Sequence, residues 1–445
     1  MWISLLWYAL GFVIAVTPLL WVGWQQPDLF LGRTGQVSIL SPDINQGDLW
    51  GTLFQHIFKS LGMFFWVGDD IIRHNPAGRP VFDILMAVPF LIGLGWSLRQ
   101  WRTPAAGGLL LWSAVMLGPT ILAEDAPHFL RAVAVLPAIL MFPAIGLSRI
   151  ASWPKLAKPW RLLVATTIMV GSLGLTIQDY FAVYGRQADT AYLFEAAARD
   201  LAEQINGEPT ATAVYWDEGR YGTQWPSIQF FVQPEKRPLP LTNQPVQLPA
   251  SWYLWPYDSA AVEQVAAAIS GPAVVSATGG SLARGDLEPD PYPFFVRYTA
   301  EPDSIEKEVV VSFGQPSVGP QYVLNNPSFT IIEEKQSITV DLYWSTLAVA
   351  AERPAVTVFV HVLDTQTGML IGQSDTIPAH GYWPSEWWTN NLIVHDQHTI
   401  ELTIPFDSDS HHVLVGLYPV GQPDARLPIV NNTDEPTRDT WRITP

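Results

Sequence analysis

The sequence contains no cysteine among its 445 residues. This absence excludes disulfide bonds, thiolate metal sites and cysteine nucleophiles. Basic residues are scarce in the second part of the chain, because residues 181–445 carry 13 Lys and Arg against 32 Asp and Glu, a net charge of −19. Nucleic acids and anionic lipids are themselves polyanions, so this part of the chain disfavours both as partners.

Common enzyme motifs are also missing. Gly279-Gly280 is a turn signal without a phosphate-binding sequence around it, and no Gly-x-Ser-x-Gly nucleophile elbow occurs. A metal site would need three or four converging ligands, and we interpret His395, Asp396 and His398 as solvated residues at strand ends. The sequence therefore predicts neither a metal ion nor a cofactor.

Long apolar runs are present, and all lie within the first 180 residues. Residues 3–22 carry no charge, over the length of about 20 residues that crosses a hydrocarbon core of about 30 Å. A cleaved signal peptide is the alternative for this run, but Met1-Trp2 offers no basic region and the run is too long. Four further runs are shorter, and prolines break three of them, so that the freed backbone groups need neighbouring helices. They are residues 82–98, 105–123, 129–147 and 162–177. A helical membrane bundle of about five spans over residues 1–180 is predicted.

Charges in the links between these runs predict an orientation. The links 99–102 and 149–161 are basic, and positive charge is typical of the cytoplasmic side. The link 124–128 is acidic and is therefore placed outside. The amino terminus is then cytoplasmic, whereas the loop 24–80 and residues 181–445 are extracytoplasmic. The predicted location is a bacterial plasma membrane.

The part after the last run predicts two further domains. Residues 181–300 alternate short strand patterns with helices, which is typical of a small α/β domain. Between 301 and 445 strand patterns recur without helices, and Ile338, Val340, Leu342 and Trp344 alternate with polar residues. This pattern predicts an immunoglobulin-like or jelly-roll β-sandwich.

The loop 24–80 is too long for a simple connector and contains an amphipathic stretch, residues 49–67. Aromatic residues such as Trp50, Phe54 and Phe58 fall on one side, and polar residues such as His56 fall on the other. An interfacial helix on the outer leaflet is one interpretation. A helix packed on the bundle is the other, and both hold the loop at the membrane.

A dense polar cluster follows at residues 68–80, and further charges lie where the fourth span begins. Guanidinium groups donate two hydrogen bonds to phosphate and imidazoles donate or shuttle protons, so these residues predict a cationic pocket for a lipid phosphate or diphosphate. The candidates are Arg73, His74, Arg79, His128 and Arg131, with Asp69, Asp70 and Asp125 as supporting carboxylates. A structural network in which the same carboxylates pair the arginines is the alternative, because an unpaired cation inside an apolar run is costly.

Three features together resemble a known family: GDDIIRHNPAGRPVFD before one span, EDAPHFLRAVAVLP entering another, and the helix-plus-β region that follows. They resemble the carboxy-terminal half of bacterial family 39 glycosyltransferases, integral membrane enzymes similar to polyprenyl- or dolichyl-phosphate-mannose mannosyltransferases. The resemblance covers about residues 1–300. It implies sugar transfer from a polyprenyl phosphate on the exterior face, with Arg73, His74, His128 and Arg131 at the lipid phosphate.

The chain departs from this family in one respect. Its members are larger bundles that use an acidic residue of their first exterior loop as the base, and no acidic pair here matches it. We therefore expect a truncated or split member, with no assigned catalytic residue. The alternative belongs to a different functional class: it is a non-catalytic, membrane-anchored envelope protein whose β-sandwich binds glycan or protein.

The carboxy-terminal part also resembles β-domains appended to such bacterial membrane proteins, on the segment GQSDTIPAHGYWPSEWW among others. Aromatic faces pack well on the apolar faces of sugar rings, so this segment is a candidate sugar platform. The residues concerned are Tyr382, Trp383, Trp387 and Trp388. The alternative is that these rings close the end of the sandwich.

Overall fold

In the computed structural model, the described residues are 2–26, 32, 36–155, 157–256, 258–285, 288–303, 309–347, 353–430 and 438–443. Residues 27–31 and 33–35 of the predicted loop 24–80 lie outside them. The chain divides into two compact units, Met1–Phe194 and Glu195–Pro445. The first unit is helical and the second is rich in strands, in agreement with the predicted helical first part and β-rich second part.

Apolar helices make up most of the first unit. Among the described residues, three stretches are long and apolar enough to cross a membrane, namely Pro104–Ile121, Phe129–Ala151 and Lys158–Arg186. Shorter apolar helices are Leu10–Gln25 and Ile84–Arg99. The described helices of this unit are Trp2–Gln25, Pro42–Asn45, Leu49–Gly62, Ile84–Arg99, Pro104–Met116, Gly118–Ile121, Phe129–Ala132, Val133–Val135, Leu136–Ile139, Met141–Ala151, Lys158–Ile177, Gln178–Val183, Tyr184–Arg186 and Ala188–Leu193. The three long apolar helices indicate association with a membrane.

Prolines divide the long apolar stretches as their chemistry requires. Pro119 and Pro137 each lie in the first turn of a new short helix. Backbone N–H groups in a first turn have no partner within the helix, so the N–H that proline lacks costs no helical hydrogen bond there. The stretch Phe129–Ala151 is consequently a series of short helical segments. A packed bundle shelters the backbone groups freed at these breaks.

Two glycines allow close helix packing in the first unit. The helices Ile84–Arg99 and Met141–Ala151 approach backbone to backbone at Gly93 and Gly146. A Cβ on Gly146 would lie 1.9 Å from the carbonyl oxygen of Pro89, so a larger residue does not fit there. Small residues that let backbones approach are typical of helix contacts in membranes.

The helix Leu49–Gly62 presents its two faces in an unusual way. Its polar residues His56 and Ser60 are buried, and the His56 ring Nδ1 lies 3.2 Å from the carbonyl oxygen of Ile121. Its apolar residues Trp50, Phe54, Phe58 and Leu61 are exposed. The helix therefore packs on its own unit through a polar stripe and leaves its apolar face uncovered, which fits contact with lipid.

The second unit is built on strands numbered here in chain order. They are β1 Ala213–Trp216, β2 Leu239–Pro240, β3 Ala250–Leu254, β4 Ala273–Gly279, β5 Leu282–Ala283, β6 Tyr292–Pro293, β7 Val296–Pro302, β8 Val309–Gln315, β9 Gly319–Ile332, β10 Ser337–Thr346, β11 Val356–Asp364, β12 Leu370–Thr376, β13 Leu392–Glu401, β14 His411–Pro419 and β15 Trp441–Ile443. Its α-helices are Ala196–Gly207, Pro226–Phe231 and Ser259–Ala268. Short single-turn segments connect several of these elements.

One large mixed sheet runs through the whole second unit. Its nine strands have the order β2-β1-β3-β7-β4-β13-β10-β9-β8, and a four-stranded sheet has the order β12-β11-β14-β15. Strand β4 pairs in parallel with β13, so that Ala273 lies beside Leu392 and Ser276 lies beside His395. The boundary predicted near residue 300 therefore falls inside a single sheet.

The two sheets enclose a common core. Buried residues of β10, such as Leu342 and Trp344, belong to the same hydrophobic cluster as Val358 of β11 and Val415 of β14. A second cluster lies beneath the helix Ala196–Gly207, whose apolar face packs on β1 and β3. The larger cluster has the two-layer arrangement of a β-sandwich.

Candidate functional site

Asp69 is the buried centre of a polar cluster in the first unit. Its Oδ1 accepts a hydrogen bond from the backbone N–H of Ile71 at 2.8 Å, and its Oδ2 accepts one from the N–H of Phe129 at 2.8 Å. The same Oδ2 lies 2.8 Å from Nδ1 of His74. The carboxylate of Asp69 thus orients the imidazole of His74. It also joins the loop after Leu49–Gly62 to Phe129, where a later apolar stretch begins.

His128 approaches the same point from the other loop. Its backbone N–H donates to the hydroxyl of Thr120 at 2.9 Å, and its ring centroid lies 4.7 Å from that of His74. Asp69, His74 and His128 each offer one potential ligand atom, and these three atoms lie within 4.8 Å of one another. We call these three residues the Asp-His-His cluster.

Burial is the largest influence on the pKa of His128 and lowers it. Asp125 acts in the opposite direction, whereas the nearby Arg131 and His74 lower this pKa further. The net direction is downward, so His128 is neutral at pH 7. A neutral imidazole can donate from one ring nitrogen and offer a lone pair on the other.

Arg131 is the third residue of the helix Phe129–Ala132, which follows His128, and it is already paired. Its Nη1 donates to Asp125, and its Nη2 donates to Glu124 at 3.4 Å. Asp125 also lies 3.8 Å from the Nε2 atom of His128. The cation that the sequence places inside an apolar run is therefore neutralised by carboxylates next to it, as the cost of an unpaired charge requires.

Arg79 is neutralised in the same way by a residue outside the predicted set. Its Nε donates to Asp179 at 2.8 Å, and its Nη2 donates to Thr176 at 3.1 Å. The guanidinium also lies 5.1 Å from the ring centroid of Tyr180. The remaining predicted residues of this loop, Asp70 and Arg73, are exposed.

Together these pairs change the predicted electrostatics of the site. Three guanidinium groups stand against five carboxylates, which leaves two negative charges when the imidazoles are neutral. The guanidinium groups are those of Arg73, Arg79 and Arg131, and the carboxylates are those of Asp69, Asp70, Glu124, Asp125 and Asp179. The predicted cationic groups therefore lie among more carboxylates than were predicted, because Glu124 and Asp179 were outside the predicted set.

Further residues fix the loop, and sequence reasoning missed them. Buried Asn75 donates to the carbonyl oxygens of Pro76 at 3.0 Å and Arg79 at 2.7 Å, and it accepts from the hydroxyl of Tyr180. The hydroxyl of Tyr184 donates to the carbonyl oxygen of Ile72. Tyr180 and Tyr184 are four residues apart after the last apolar run, and this spacing was the available signal.

The predicted sugar platform is not formed as an exposed surface. Trp383 and Trp388 are buried, and the indole N–H of Trp388 donates to the carbonyl oxygen of Trp383 at 3.1 Å. Trp383 packs on Tyr298 with ring centroids 5.8 Å apart. Tyr382 and Trp387 are partly buried against the same core. These rings contribute to the sandwich core, because burial of large aromatic surface outweighs exposure to solvent.

Two residues expected at solvated strand ends are also buried. The Nε2 atom of His398 lies 3.0 Å from Oδ2 of Asp396, and both side chains are fully buried. The Nδ1 atom of His398 lies 2.9 Å from the hydroxyl of Ser374, and Asp396 accepts from the N–H of Ala379 at 2.8 Å. This polar network joins the two sheets, since each buried group needs a partner.

The Asp-His-His cluster is the strongest candidate site in the described part of the chain. It combines buried polar side chains from two loops with the ends of apolar helices. In comparisons with known proteins, the chain matches no family model and no curated protein.

Proposed function

We propose that this chain is a multi-pass membrane protein that binds a polyprenyl-phosphate-linked sugar at the Asp-His-His cluster and takes part in transfer of the sugar. The observation that carries the proposal is the convergence of Asp69, His74 and His128 from two loops at one end of the apolar helices. Arg131 lies three residues beyond His128. The proposal keeps the role implied by the resemblance to family 39 glycosyltransferases.

The proposed topology has five spans. The three long apolar stretches are joined by Ile84–Arg99 and by the first helix, Trp2–Gln25. The two basic links belong to one end of the bundle, since the guanidinium of Arg149 lies 4.3 Å from the ring centroid of Trp96. The positive-inside rule then assigns that end to the cytoplasm. The Asp-His-His cluster and residues 195–445 are extracytoplasmic in this arrangement, at a bacterial plasma membrane.

The proposed chemistry is stabilisation of a leaving phosphate. When the bond between the sugar carbon and the phosphate oxygen breaks, negative charge develops on the phosphate. Imidazole N–H groups and the guanidinium of Arg131 are donors suited to that charge. Asp69 accepts from its neighbours through both oxygens, so it serves to position His74 and Phe129. The acceptor and the base that deprotonates it are not assigned to residues of this chain.

The test of this proposal is lipid binding by the full chain in lipid nanodiscs. We expect polyprenyl phosphate to bind and the uncharged polyprenol to bind at least tenfold more weakly, a difference of about 1.4 kcal/mol. His128→Gln should weaken binding of the phosphate. His56→Gln is the matched control, because His56 is a buried histidine of the same unit outside the cluster. Equal binding of both lipids, or an unchanged affinity in His128→Gln, contradicts the proposal.

A second candidate, a non-catalytic membrane-anchored envelope protein, is favoured by a different observation. Arg79 and Arg131 are already satisfied by Asp179, Asp125 and Glu124, as in a purely structural network. This candidate predicts no release of labelled sugar from a polyprenyl-phosphate donor. It also predicts full cellular function after the double change of His128→Ala and Arg131→Ala.

A further inference from the structure

We infer that Asp69, His74 and His128 bind one divalent transition-metal ion of the zinc type. Metal binding itself depends on the geometry of these three residues. The role that we give the ion, which is to hold an anionic phosphate oxygen, rests on the proposed function. The sequence predicted no metal site here, because the third ligand comes from a loop more than 50 positions away.

The donor set suits such an ion. Two imidazole nitrogens and one carboxylate oxygen are ligands that zinc takes in catalytic sites, where a fourth position stays open. Tetrahedral zinc with bonds of about 2.0–2.1 Å keeps its ligand atoms about 3.3 Å apart. The Asp69 Oδ2 and His74 Nδ1 atoms are 2.8 Å apart, and all three potential ligand atoms lie within 4.8 Å. Side-chain rotations that change these separations by about 0.5 Å to at most about 1.5 Å therefore bring the three atoms around one ion.

The surroundings hold the three residues in place. The side chains of Asp69, His74 and His128 are 1%, 8% and 12% exposed. Both Asp69 oxygens accept from backbone N–H groups, and the backbone of His128 is tied to Thr120. Hydrogen bonds to ligating groups of this kind orient the ligands of metal sites. The cluster is thus preorganised before an ion enters.

Charge gives an independent reason for a cation at this point. Among the described residues around the cluster, three arginines stand against five carboxylates. An excess of carboxylates repels an anionic phosphate, whereas one divalent cation offsets the charge of the carboxylates. The open position of the ion can then accept a phosphate oxygen. The ion would add a positive centre beside Arg131, whose own charge is offset by Glu124 and Asp125.

The experiment uses the full chain without a histidine tag, in lipid nanodiscs and after treatment with a chelator. Zn²⁺ is titrated in competition with a chromophoric chelator, and Co²⁺ is titrated separately to record the visible absorption typical of tetrahedral sites with nitrogen ligands. We expect one tight ion per chain. His74→Gln and His128→Gln should each lower the affinity about 100-fold or more, since changes in supporting residues alone cost 10–100-fold.

Two histidines provide matched controls. His56→Gln removes a buried imidazole of the first unit outside the cluster, and His395→Gln removes a strand imidazole paired with Asp341 in the second unit. Both variants should keep the tight ion. His128→Gln leaves the hydrogen bonds of Asp69 in place, and thermal unfolding identifies any variant that fails to fold. Equal affinities in His74→Gln, His128→Gln and His56→Gln, or loss of the ion in His395→Gln alone, would overturn the inference.

The metal site and the proposed function fail separately in this design. Polyprenyl phosphate binding is measured with and without the chelator. If the ion binds and the lipid does not, the metal site stands and the proposed function fails. If the lipid binds equally well after chelation and no tight ion is found, the inference of a metal site fails and the proposed function stands.

Discussion

Arg79 donates to Asp179 at 2.8 Å although the two residues are 100 positions apart in the chain. This pair ties the loop that carries Asp69 and His74 to the residues just after the helix Lys158–Ile177. The guanidinium is nearly buried, with 11% of the side chain exposed. Its role is therefore to fix the loop rather than to contact a ligand.

The first prediction concerns this pair. Asp179→Asn leaves the guanidinium of Arg79 without its charged acceptor and should destabilise the protein by about 1–3 kcal/mol. Thermal unfolding of the full chain in nanodiscs measures the effect. Glu203→Gln is the control, because its pair with Arg199 is exposed and contributes little. Equal unfolding temperatures for the two variants would show that the long-range pair does not fix the loop.

The second prediction concerns the contact between Gly93 and Gly146. Gly146→Val places side-chain atoms where the carbonyl oxygen of Pro89 lies, so the two helices must separate. We expect the free energy of unfolding to fall by about 1–3 kcal/mol or more, as it does in overpacked cores, and the yield of folded protein to fall as well. Gly95→Val is the matched control, since a Cβ at Gly95 meets open space. Similar yields and unfolding temperatures for both variants would contradict helix packing at this point.

The third prediction concerns pH and Glu208 in the second unit. Burial alone would raise the pKa of Glu208, but hydrogen bonds from Arg297 and Tyr253 outweigh burial and hold this pKa below its ordinary value. A carboxylate with a lowered pKa in the folded state stabilises the fold above its unfolded pKa. That stability is lost as the pH falls through the unfolded and then the folded pKa, so the window lies in the acidic range below about pH 5.

Glu208→Gln should accordingly destabilise the chain at pH 7, by about 2–4 kcal/mol, because it leaves Arg297 without its charged partner. The difference in unfolding free energy between wild type and variant should shrink as the pH is lowered from 7 to 3. Denaturant unfolding at several pH values measures it. A difference that stays constant over this range would show that the Glu208 carboxylate does not carry the stabilisation.

Local patterns allowed part of this fold to be predicted. The alternation at Ile338, Val340, Leu342 and Trp344 predicted a strand with one buried face, and β10 buries these four side chains. The apolar runs predicted helices from their length and their lack of charge, which are also properties of neighbouring residues in the chain. The helical first part and the β-rich second part follow from such short-range signals.

Long-range pairing could not be predicted in this way. The parallel register between β4 and β13 joins residues about 120 positions apart, and no local pattern specifies it. At the candidate site, His74 and Asp69 are close in sequence, and both were among the predicted residues. The hydrogen bond from Phe129 to Asp69 and the pair of Arg79 with Asp179 span 60 and 100 positions. Composition showed which charges were present but did not show which of them neutralise one another.

The fourth prediction concerns the exposed apolar face of the helix Leu49–Gly62. We expect Phe58 to lie in the lipid headgroup region, because its side chain is exposed while the polar residues His56 and Ser60 face the protein. The natural chain has no cysteine, so Phe58→Cys gives a single site for an environment-sensitive fluorophore. Its emission should shift to shorter wavelength in nanodiscs and should be quenched by nitroxide-labelled lipid.

Lys59→Cys is the matched control for this measurement, because Lys59 is the exposed neighbour on the polar side of the same helix. A fluorophore there should be quenched by aqueous iodide and little by nitroxide-labelled lipid. Quenching of both sites by iodide alone would place the whole helix in water, and the exposed aromatic face would then need a protein partner. Protection of the Phe58 site from both quenchers would indicate that another protein surface already covers it.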